Sequence, residues 1–195
     1  MSYSRLPSFV LGFHGCDRTL ANRVVSHREH LKSSENEYDW LGHGIYFWEN
    51  SPARAMIWAE AQAARIRAKG GIFESAVIGA IIDLGKCLDL LNTASIDLVE
   101  QAYRLLKQVR DREGVPLPSN ENLPGSAGYL LRKLDCAVIS FLHGTSENSD
   151  PFDSVRAAFV EGEPIYHNAG FRRHNHIQIC VRNNANIKGY FRPFD

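Results

Sequence analysis

The stretches Gly12-Phe13-His14-Gly15-Cys16 and Gly42-His43-Gly44-Ile45-Tyr46-Phe47 decide how this chain folds. The first closes the apolar run of residues 8–13 with a histidine and a glycine, which predicts a buried strand followed by a turn. The second continues to residue 48 as a β-branched and aromatic segment, with a glycine in front and the polar sequence ENSP behind. This pattern predicts a second strand.

A helix is expected directly after the second strand. Ser51 is a residue type that caps free N–H groups, and Pro52 suits the first helical position. Gly70 and Gly71 mark the expected end of the helix. Its apolar face is predicted from the residues that recur every three or four positions, namely Ala53, Ile57, Trp58, Ala61 and Ala64.

The rest of the chain predicts an α+β fold in one domain that spans residues 1–195. The further helices are expected at residues 18–30, 95–113 and 127–133, and the longest of them has the stripe Ile96, Val99, Tyr103, Leu106 and Val109. The further strands are expected at residues 73–84, 152–160, 176–181 and 186–191, with an apolar run at 136–142. Strands thus stand at both ends of the chain and helices between them.

Composition indicates an ordinary globular protein. Hydrophobic residues make up 44% of the chain and charged residues 23%, close to the soluble average. The 22 basic and 22 acidic residues balance, so no global field attracts nucleic acid or an anionic membrane. The four cysteines form no CxxC pair, which argues against a zinc site. With neither a signal-peptide pattern nor a membrane-length apolar run, a cytoplasmic protein is expected.

Individual residues of the two stretches are weak signals when each is taken alone. A lone histidine such as His14 is more often structural than functional, although the adjacent Gly15 allows a ligand to approach the backbone. Tyr46 fits an ordinary core strand. Gln178 is more informative, because an amide inside the apolar strand of residues 176–181 must find polar partners if it is buried.

In combination these segments resemble the ADP-ribosyltransferase superfamily, in its poly(ADP-ribose) polymerase-like or diphtheria-toxin-like branch. In that branch a first strand ends in His-Gly-Ser/Thr, a Gly-x-Gly-Ile-Tyr-Phe strand follows, and a serine-containing turn leads into a helix. This chain has His14-Gly15-Cys16, then GHGIYF at residues 42–47, then Ser51 and a helix. The resemblance is carried mostly by the first third of the chain, and it implies a split, strongly bent β-sheet core with helical insertions.

The resemblance implies a cleft for NAD⁺ as co-substrate. His14 would bind a ribose hydroxyl, the main chain of Gly15 would bind the carboxamide, and Tyr46 would stack on the nicotinamide ring. The remaining cofactor-binding positions of the motifs are Cys16, Gly44 and Ser51. Binding energy spread over distant groups can support distortion at the nicotinamide–ribose bond, which breaks through an oxocarbenium-like state.

The third segment departs from the main pattern of the superfamily. Where the family usually has a glutamate that binds the ribose 2′-hydroxyl, this chain has Gln178, with His176 two residues earlier. Glutamine carries no charge, so mono-ADP-ribosyl transfer or hydrolysis is expected rather than chain elongation. Glu161 is the expected source of a carboxylate, although its role as a solvated turn residue is equally open. Arg156 is expected to form a surface ion pair or to contact NAD⁺ phosphates.

The expected function is therefore NAD-dependent mono-ADP-ribosyl transfer, as a bacterial toxin or phage-defence effector with an antitoxin as its partner. The acceptor is open between protein, DNA and RNA, and no membrane or metal is expected to take part. Three alternatives stay open, namely an NAD glycohydrolase with the same cleft, a module that binds NAD or ADP-ribose without turnover, and a 2′-phosphotransferase. The last is the weakest, since only Arg18 and Arg23 supply basic residues near His14.

Overall fold

The computed structural model describes residues 9–122, 129–146 and 150–193. Within them lie the helices α1 (Arg18–Val25), α2 (Pro52–Ala68), α3 (Thr93–Glu113) and α4 (Lys133–Ser146). The strands are β1 (Phe9–Asp17), β2 (Ile45–Glu49), β3 (Ser75–Asp83), β4 (Cys87–Asp89), β5 (Asn120–Asn122), β6 (Tyr129–Arg132), β7 (Ser154–Phe159), β8 (His176–Val181) and β9 (Ile187–Phe191). No helix of these residues is long and apolar enough to cross a membrane.

One mostly antiparallel sheet organises the chain. Its seven strands follow the order β4-β7-β8-β2-β1-β3-β9, and β5 and β6 form a separate antiparallel pair. Within the large sheet, β4 and β7 pair in parallel, whereas the other neighbours are antiparallel. The α+β class predicted from the sequence is thus confirmed at the level of a mixed fold with an antiparallel sheet and helices.

The two faces of the sheet pack against different helices. On one face, β1, β2 and β3 pack with Ala21 and Val24 of α1, around the fully buried Phe47 and Ile78. On the other face, β7 and β8 pack with α3 and α4, while α2 lies over β1 and β3. Because side chains alternate along a strand, neighbouring residues of β1 and β2 face different surroundings.

Several predicted elements differ from the structure at their ends. The first strand continues through His14 and Gly15 to Asp17 instead of turning after Phe13, because it pairs with β3 along its whole length. The helix predicted at residues 127–133 is wrong at Tyr129–Arg132, which form strand β6 and pair with β5, whereas Lys133 is helical and begins α4. Residues 127 and 128 lie outside the described ranges. The first helix ends at Val25.

The predicted apolar face of α2 is also wrong. Ala55, Ala59 and Ala63 are the residues that α2 buries completely, whereas Ile57 and Trp58 are 42% and 37% exposed. The reason is the distance between α2 and the sheet. A methyl group added to Gly15 of β1 would lie 2.3 Å from the carbonyl oxygen of Ala55, so only the smallest side chains fit between the helix and the strand.

The predicted stripe of α3 is confirmed only in part. Leu106 is buried, but Ile96 and Val109 are 51% and 38% exposed. Ala102, outside the predicted stripe, is buried instead. The helix contacts mainly α4, so its contact face is narrower than its apolar stripe.

We expect Ala59→Leu to lower the free energy of unfolding by about 1–3 kcal/mol, because the larger side chain overpacks the contact between α2 and the sheet. Ala64→Leu is the matched control, since Ala64 lies on the exposed side of the same helix and its change should stay within about 0.5 kcal/mol. Urea denaturation of both variants measures the difference. Equal stabilities would show that α2 does not pack closely on β1.

Candidate functional site

The candidate site begins where β1 and β2 stop pairing. Their ladder consists of the pairs Gly12–Glu49 and Phe13–Trp48. Beyond Phe13, β1 continues to pair with β3 on its other side as far as Asp17. A gap therefore opens between β1 and β2, and it begins at His14.

The main chain of Gly15 is directed into this gap. The carbonyl of Leu11 accepts a hydrogen bond from the N–H of Asn50, on the β2 side. Main-chain groups alternate in direction along a strand, so the N–H and C=O of Gly15 point the same way as those of Leu11. The α carbon of Gly15 is covered by α2 at Ala55 and the residue is buried, so only these two main-chain groups could contact a ligand that enters the gap.

His14 lies next to this gap in one defined tautomer. Its Nδ1 lies 2.8 Å from the main-chain oxygen of Tyr46, and a carbonyl can only accept, so Nδ1 carries the proton. Burial lowers the pKa of His14, with the hydrogen bond to Tyr46 opposing that shift, and the ring is neutral at pH 7. Nε2 is consequently a hydrogen-bond acceptor, and no partner for it is found among the described residues.

The side chain of Tyr46 is hydrogen-bonded to the loop that precedes β2. Its hydroxyl accepts the N–H of Leu41 at 2.9 Å and donates to the carbonyl of Gly42 at 2.8 Å. Burial raises the pKa of Tyr46, so the phenol stays neutral. The half-buried ring packs against the core beneath α3 and α4, and its stacking on nicotinamide stays a prediction.

The register of the strands separates the predicted residues onto two faces. Trp48 of β2 pairs with Gln178 of β8, so Gln178 and Tyr46 share the face covered by α2, α3 and α4. His14 instead contacts Phe47, with ring centroids 5.9 Å apart, on the α1 face. A ligand that touches both His14 and Gln178 has to lie in the gap between β1 and β2.

Gln178 is buried, and its amide oxygen is already engaged. Gln178 is 5% exposed. Its Oε1 accepts a hydrogen bond from Nε1 of Trp40 at 2.6 Å. The amide NH₂ is the remaining polar group. It can donate to a ribose hydroxyl, but it supplies no negative charge to a developing cation.

Glu161 forms an ion pair that is mostly buried and lies near the start of β8. Its carboxylate lies 2.8 Å from Nη2 of Arg54, and each side chain is 16% exposed. Nδ1 of His176 lies 3.9 Å from the same carboxylate and donates to the main-chain oxygen of His174 at 2.7 Å. Burial is the largest influence on the pKa of His176 and lowers it. Glu161 is therefore a structured residue rather than a solvated one.

A surface cleft of about 450 Å³ lies at the ends of β2, β7 and β8. Ser51 belongs to its wall, and its hydroxyl makes no capping hydrogen bond to α2. The capping role predicted for that side chain is thus wrong, whereas Pro52 does occupy the first helical turn. The polar residues of the wall are Glu49, Asn50, Ser51, Asn175 and His176.

Packing explains two other residues of the motifs. Cys16 is 5% exposed within the core, and burial together with Asp17 raises the pKa of its thiol to about 11, which leaves only its main chain to contact a cofactor. A methyl group on Gly44 would lie 2.6 Å from Sγ of Cys180 and from the carbonyl of Val181. Gly44 therefore allows β8 to approach β2 closely.

Arg156 forms an ion pair, but below the surface. Its Nε and Nη2 bind the two oxygens of Glu49 at 2.5 and 2.9 Å, and its Nη1 lies 3.2 Å from Asp89. The side chain is 17% exposed. Two carboxylates thus hold this guanidinium across β2, β4 and β7.

Three aromatic or basic residues of the site were not singled out from the sequence. Trp40 stands alone in a polar loop, Trp48 fits an ordinary core strand, and Arg54 lies on a helix of apolar character. Trp40 gave the one signal that the sequence offered, because a single tryptophan in a polar loop is unusual. Among the described residues, no group of three or more histidine, cysteine, aspartate or glutamate side chains is placed to hold a metal ion.

We expect Tyr46→Phe to lower the free energy of unfolding by about 1–3 kcal/mol, because the buried N–H of Leu41 loses its acceptor. Tyr38→Phe is the control, since Tyr38 is 44% exposed and should change stability by less than about 0.5 kcal/mol. Thermal and urea denaturation measure both. An unchanged stability of Tyr46→Phe would show that the hydroxyl does not stabilise the loop at Leu41 and Gly42.

Comparison with known proteins yields a distant relative. The chain is 27% identical over 209 aligned positions to an uncharacterized protein of Methanocaldococcus jannaschii, and the alignment covers 96% of this chain and 87% of that protein. No protein-family model matches the chain. No solved structure matches it at a significant level.

Proposed function

We propose that the protein binds NAD⁺ in the gap between β1 and β2 and transfers one ADP-ribosyl group to an acceptor. One observation carries the proposal: a hydrogen-bond acceptor on His14 and the main-chain groups of Gly15 lie together where the gap begins. Nε2 of His14 is unprotonated, because Nδ1 of the same ring donates to the carbonyl of Tyr46. Gly15 offers one main-chain N–H and one C=O. The groups belong to consecutive residues, and each could bind a different part of one ligand.

The chemistry of these groups suits the nicotinamide riboside half of NAD⁺. A primary carboxamide has an acceptor oxygen and donor N–H groups, which match the N–H and C=O of Gly15. Nε2 of His14 accepts the proton of a ribose hydroxyl. Both contacts lie away from the bond that breaks, so their binding energy can support distortion at that bond.

Cleavage leaves the bonding electron pair on the nicotinamide nitrogen and a positive charge on the ribose. A group that stabilises this charge contributes most to the rate. Gln178 orients the ribose through its NH₂, and Glu161 supplies the negative charge, reduced by its partner Arg54. Slow turnover is expected from this arrangement, and chain elongation is not.

A second candidate function is NAD or ADP-ribose binding without turnover. The specific observation in its favour is that both groups available to stabilise the cation are engaged. The oxygen of Gln178 bonds Trp40, and Glu161 is neutralised by Arg54. Hydrolysis in the same cleft differs from transfer only in that water takes the ADP-ribose.

The acceptor and the biological setting rest on the resemblance to small bacterial members of the superfamily. They suggest a cytoplasmic toxin or phage-defence effector that an antitoxin can block. Protein, DNA and RNA are all chemically open as acceptors, because the overall charge of the chain is zero and favours none of them.

The decisive experiment measures nicotinamide release from NAD⁺ by the purified protein, with and without cell lysate. We expect release that depends on lysate, with label from ³²P-NAD⁺ appearing on a macromolecule. Gln178→Ala should reduce release at saturating NAD⁺ by more than it weakens NAD⁺ binding. The reason is that the amide orients the reacting ribose, while His14 and Gly15 hold the substrate.

Each other outcome selects a different function. Release without lysate and without labelled product favours the glycohydrolase. Binding of NAD⁺ without release under either condition favours the binding module. A protein that binds no NAD⁺ contradicts the proposal as a whole.

We expect NAD⁺ affinity to be constant from pH 8 to 6.5 and to fall at lower pH. Burial places the pKa of His14 below 6.5, so the neutral form that accepts a hydroxyl persists above that pH, and protonation below it sets a cation beside the cationic nicotinamide ring. Calorimetric titration across this range measures the change. Since His176 also titrates below 6.5, His14→Gln is the control: it should flatten the dependence, and an unchanged profile would exclude His14 as its source.

A further inference from the structure

A cavity of about 510 Å³ lies between α3, α4 and β7. Its lining is mostly apolar and includes Val99 of α3, Ile139 of α4 and Ala157 of β7. Ile96 also lines it and is 51% exposed, so the cavity opens to solvent at the start of α3. Sites for small molecules are typically clefts of roughly 300–1,000 Å³ with apolar walls and a few polar groups. The size and lining of this cavity therefore indicate a ligand site.

The cavity adjoins the candidate site without overlapping it. Phe159 lines both this cavity and the cleft of about 450 Å³, and Trp40 of the cavity wall donates to Gln178. Among the described residues, none of those that the resemblance assigns to NAD⁺ lines the cavity. Most of its lining belongs instead to the segment between β4 and β7, which lies outside the motifs of that resemblance.

One wall of the cavity combines two aromatic rings with a guanidinium. The rings of Trp40 and Phe159 are stacked, with centroids 4.3 Å apart. The guanidinium carbon of Arg132 lies 4.6 Å from the centre of the Trp40 ring and 5.2 Å from that of Phe159. Aromatic side chains and arginine guanidinium groups are the surfaces on which proteins stack unpaired nucleobases. The wall thus suits a flat ring better than a branched aliphatic group.

A donor and an acceptor stand side by side at this wall. Nη1 of Arg132 lies 3.6 Å from Oδ2 of Asp135, which is an ion pair but too long for a hydrogen bond. Oδ1 of Asp135 accepts from Asn120 at 2.9 Å, so the carboxylate has a fixed position. Arginine carries five N–H donors, whereas a carboxylate only accepts. A ligand that meets both groups needs acceptor atoms next to N–H groups.

We propose that the cavity is a second ligand site and that it binds a nucleobase, guanine in preference to adenine. The N7 and O6 acceptors of guanine are the usual partners of arginine and bind Arg132, while the adjacent N1–H and N2–H groups donate to the carboxylate of Asp135. Adenine has N7 as an acceptor but an amino group in place of O6. This inference goes beyond the proposed function and does not rest on it.

Other ligand classes fit the cavity less well. A phosphate or another anion meets the carboxylates of Glu100 and Asp135, which both line the cavity. A hydrocarbon chain covers the ion pair of Arg132 and Asp135 without replacing the water that the two groups lose. A neutral base supplies hydrogen bonds to both charged groups and an apolar face to the rest of the wall.

The first experiment compares nucleosides on the wild-type protein. Calorimetric titration measures the Kd of guanosine, of inosine, which lacks the N2 amino group, and of adenosine. We expect guanosine to bind most tightly and adenosine about tenfold more weakly, as for the loss of a hydrogen bond to a charged group. Inosine should lie between them. Equal Kd values for guanosine and adenosine, or binding of neither, would overturn the proposal.

Variants test whether the cavity is the place of binding. Arg132→Met removes the guanidinium at a similar length, so the Kd of guanosine should rise about tenfold and its preference over adenosine should be lost. Lys133→Met is the matched control, because Lys133 pairs with Glu121 and does not line the cavity. Asp135→Asn, which turns one acceptor oxygen into a donor group, should also weaken guanosine binding and replaces Arg132→Met if that variant does not fold. Equal effects of Arg132→Met and Lys133→Met would place the binding elsewhere and overturn the proposal.

Guanine reaches the cavity either as a free nucleoside or nucleotide, or as a base of a single-stranded nucleic acid. A thymidine decamer with one central guanine distinguishes these sources, and the same decamer with a central adenine is its control. A guanine decamer that binds more tightly than both guanosine and the adenine decamer identifies a nucleic acid as the source. Otherwise the preference for guanosine assigns the site to the free compound. The assay of nicotinamide release is independent of all these results, so failure of one proposal leaves the other standing.

Discussion

The close contact between α2 and β1 is the constraint on which the rest of the structure depends. Gly15 has no side chain, and the carbonyl of Ala55 occupies the place that one would fill. The helix therefore lies directly against the strand, and its first turn brings Arg54 to Trp48 and Glu161. A larger residue at Gly15 would displace α2 and with it Arg54, the partner of Glu161.

Next to this contact, β1 and β2 separate. Their ladder ends at Phe13 and Trp48, and the imidazole of His14 bonds the main chain of Tyr46 across the gap that follows. A side chain thus holds two strands at a fixed distance where main-chain hydrogen bonds have ended. This arrangement leaves main-chain groups of β1 beyond Phe13 without a ladder partner on β2, which is uncommon because such groups are almost always paired.

Electrostatics divide the site into two parts. Arg156 forms ion pairs with Glu49 and Asp89 on the α1 face, and Arg54 forms an ion pair with Glu161 on the other face. The ion pairs are partly shielded from water, so their geometry is better defined than that of the exposed pairs along α3. Burial lowers the pKa of His14 and His176, so both rings are neutral at pH 7 and each has an acceptor nitrogen rather than a charge.

The sequence by itself determined the class of the fold and the positions of most strands of the large sheet. Period-two alternation and β-branched content mark strands wherever they occur, as β8 shows with the predicted bounds. It also pointed to Gln178 as a buried amide, because an amide in an apolar strand needs a partner. It did not show that Trp40 is this partner, since the two residues are 138 positions apart.

Only the tertiary structure decided which face each residue occupies and which helix residues are buried. The predicted stripe of α2 failed because distance to β1, rather than hydrophobicity, selected Ala55, Ala59 and Ala63 for the contact. Likewise, β6 replaced a predicted helix because pairing with β5 outweighed local propensity. Contacts between residues far apart in the chain set these outcomes, and a local pattern carries no record of them.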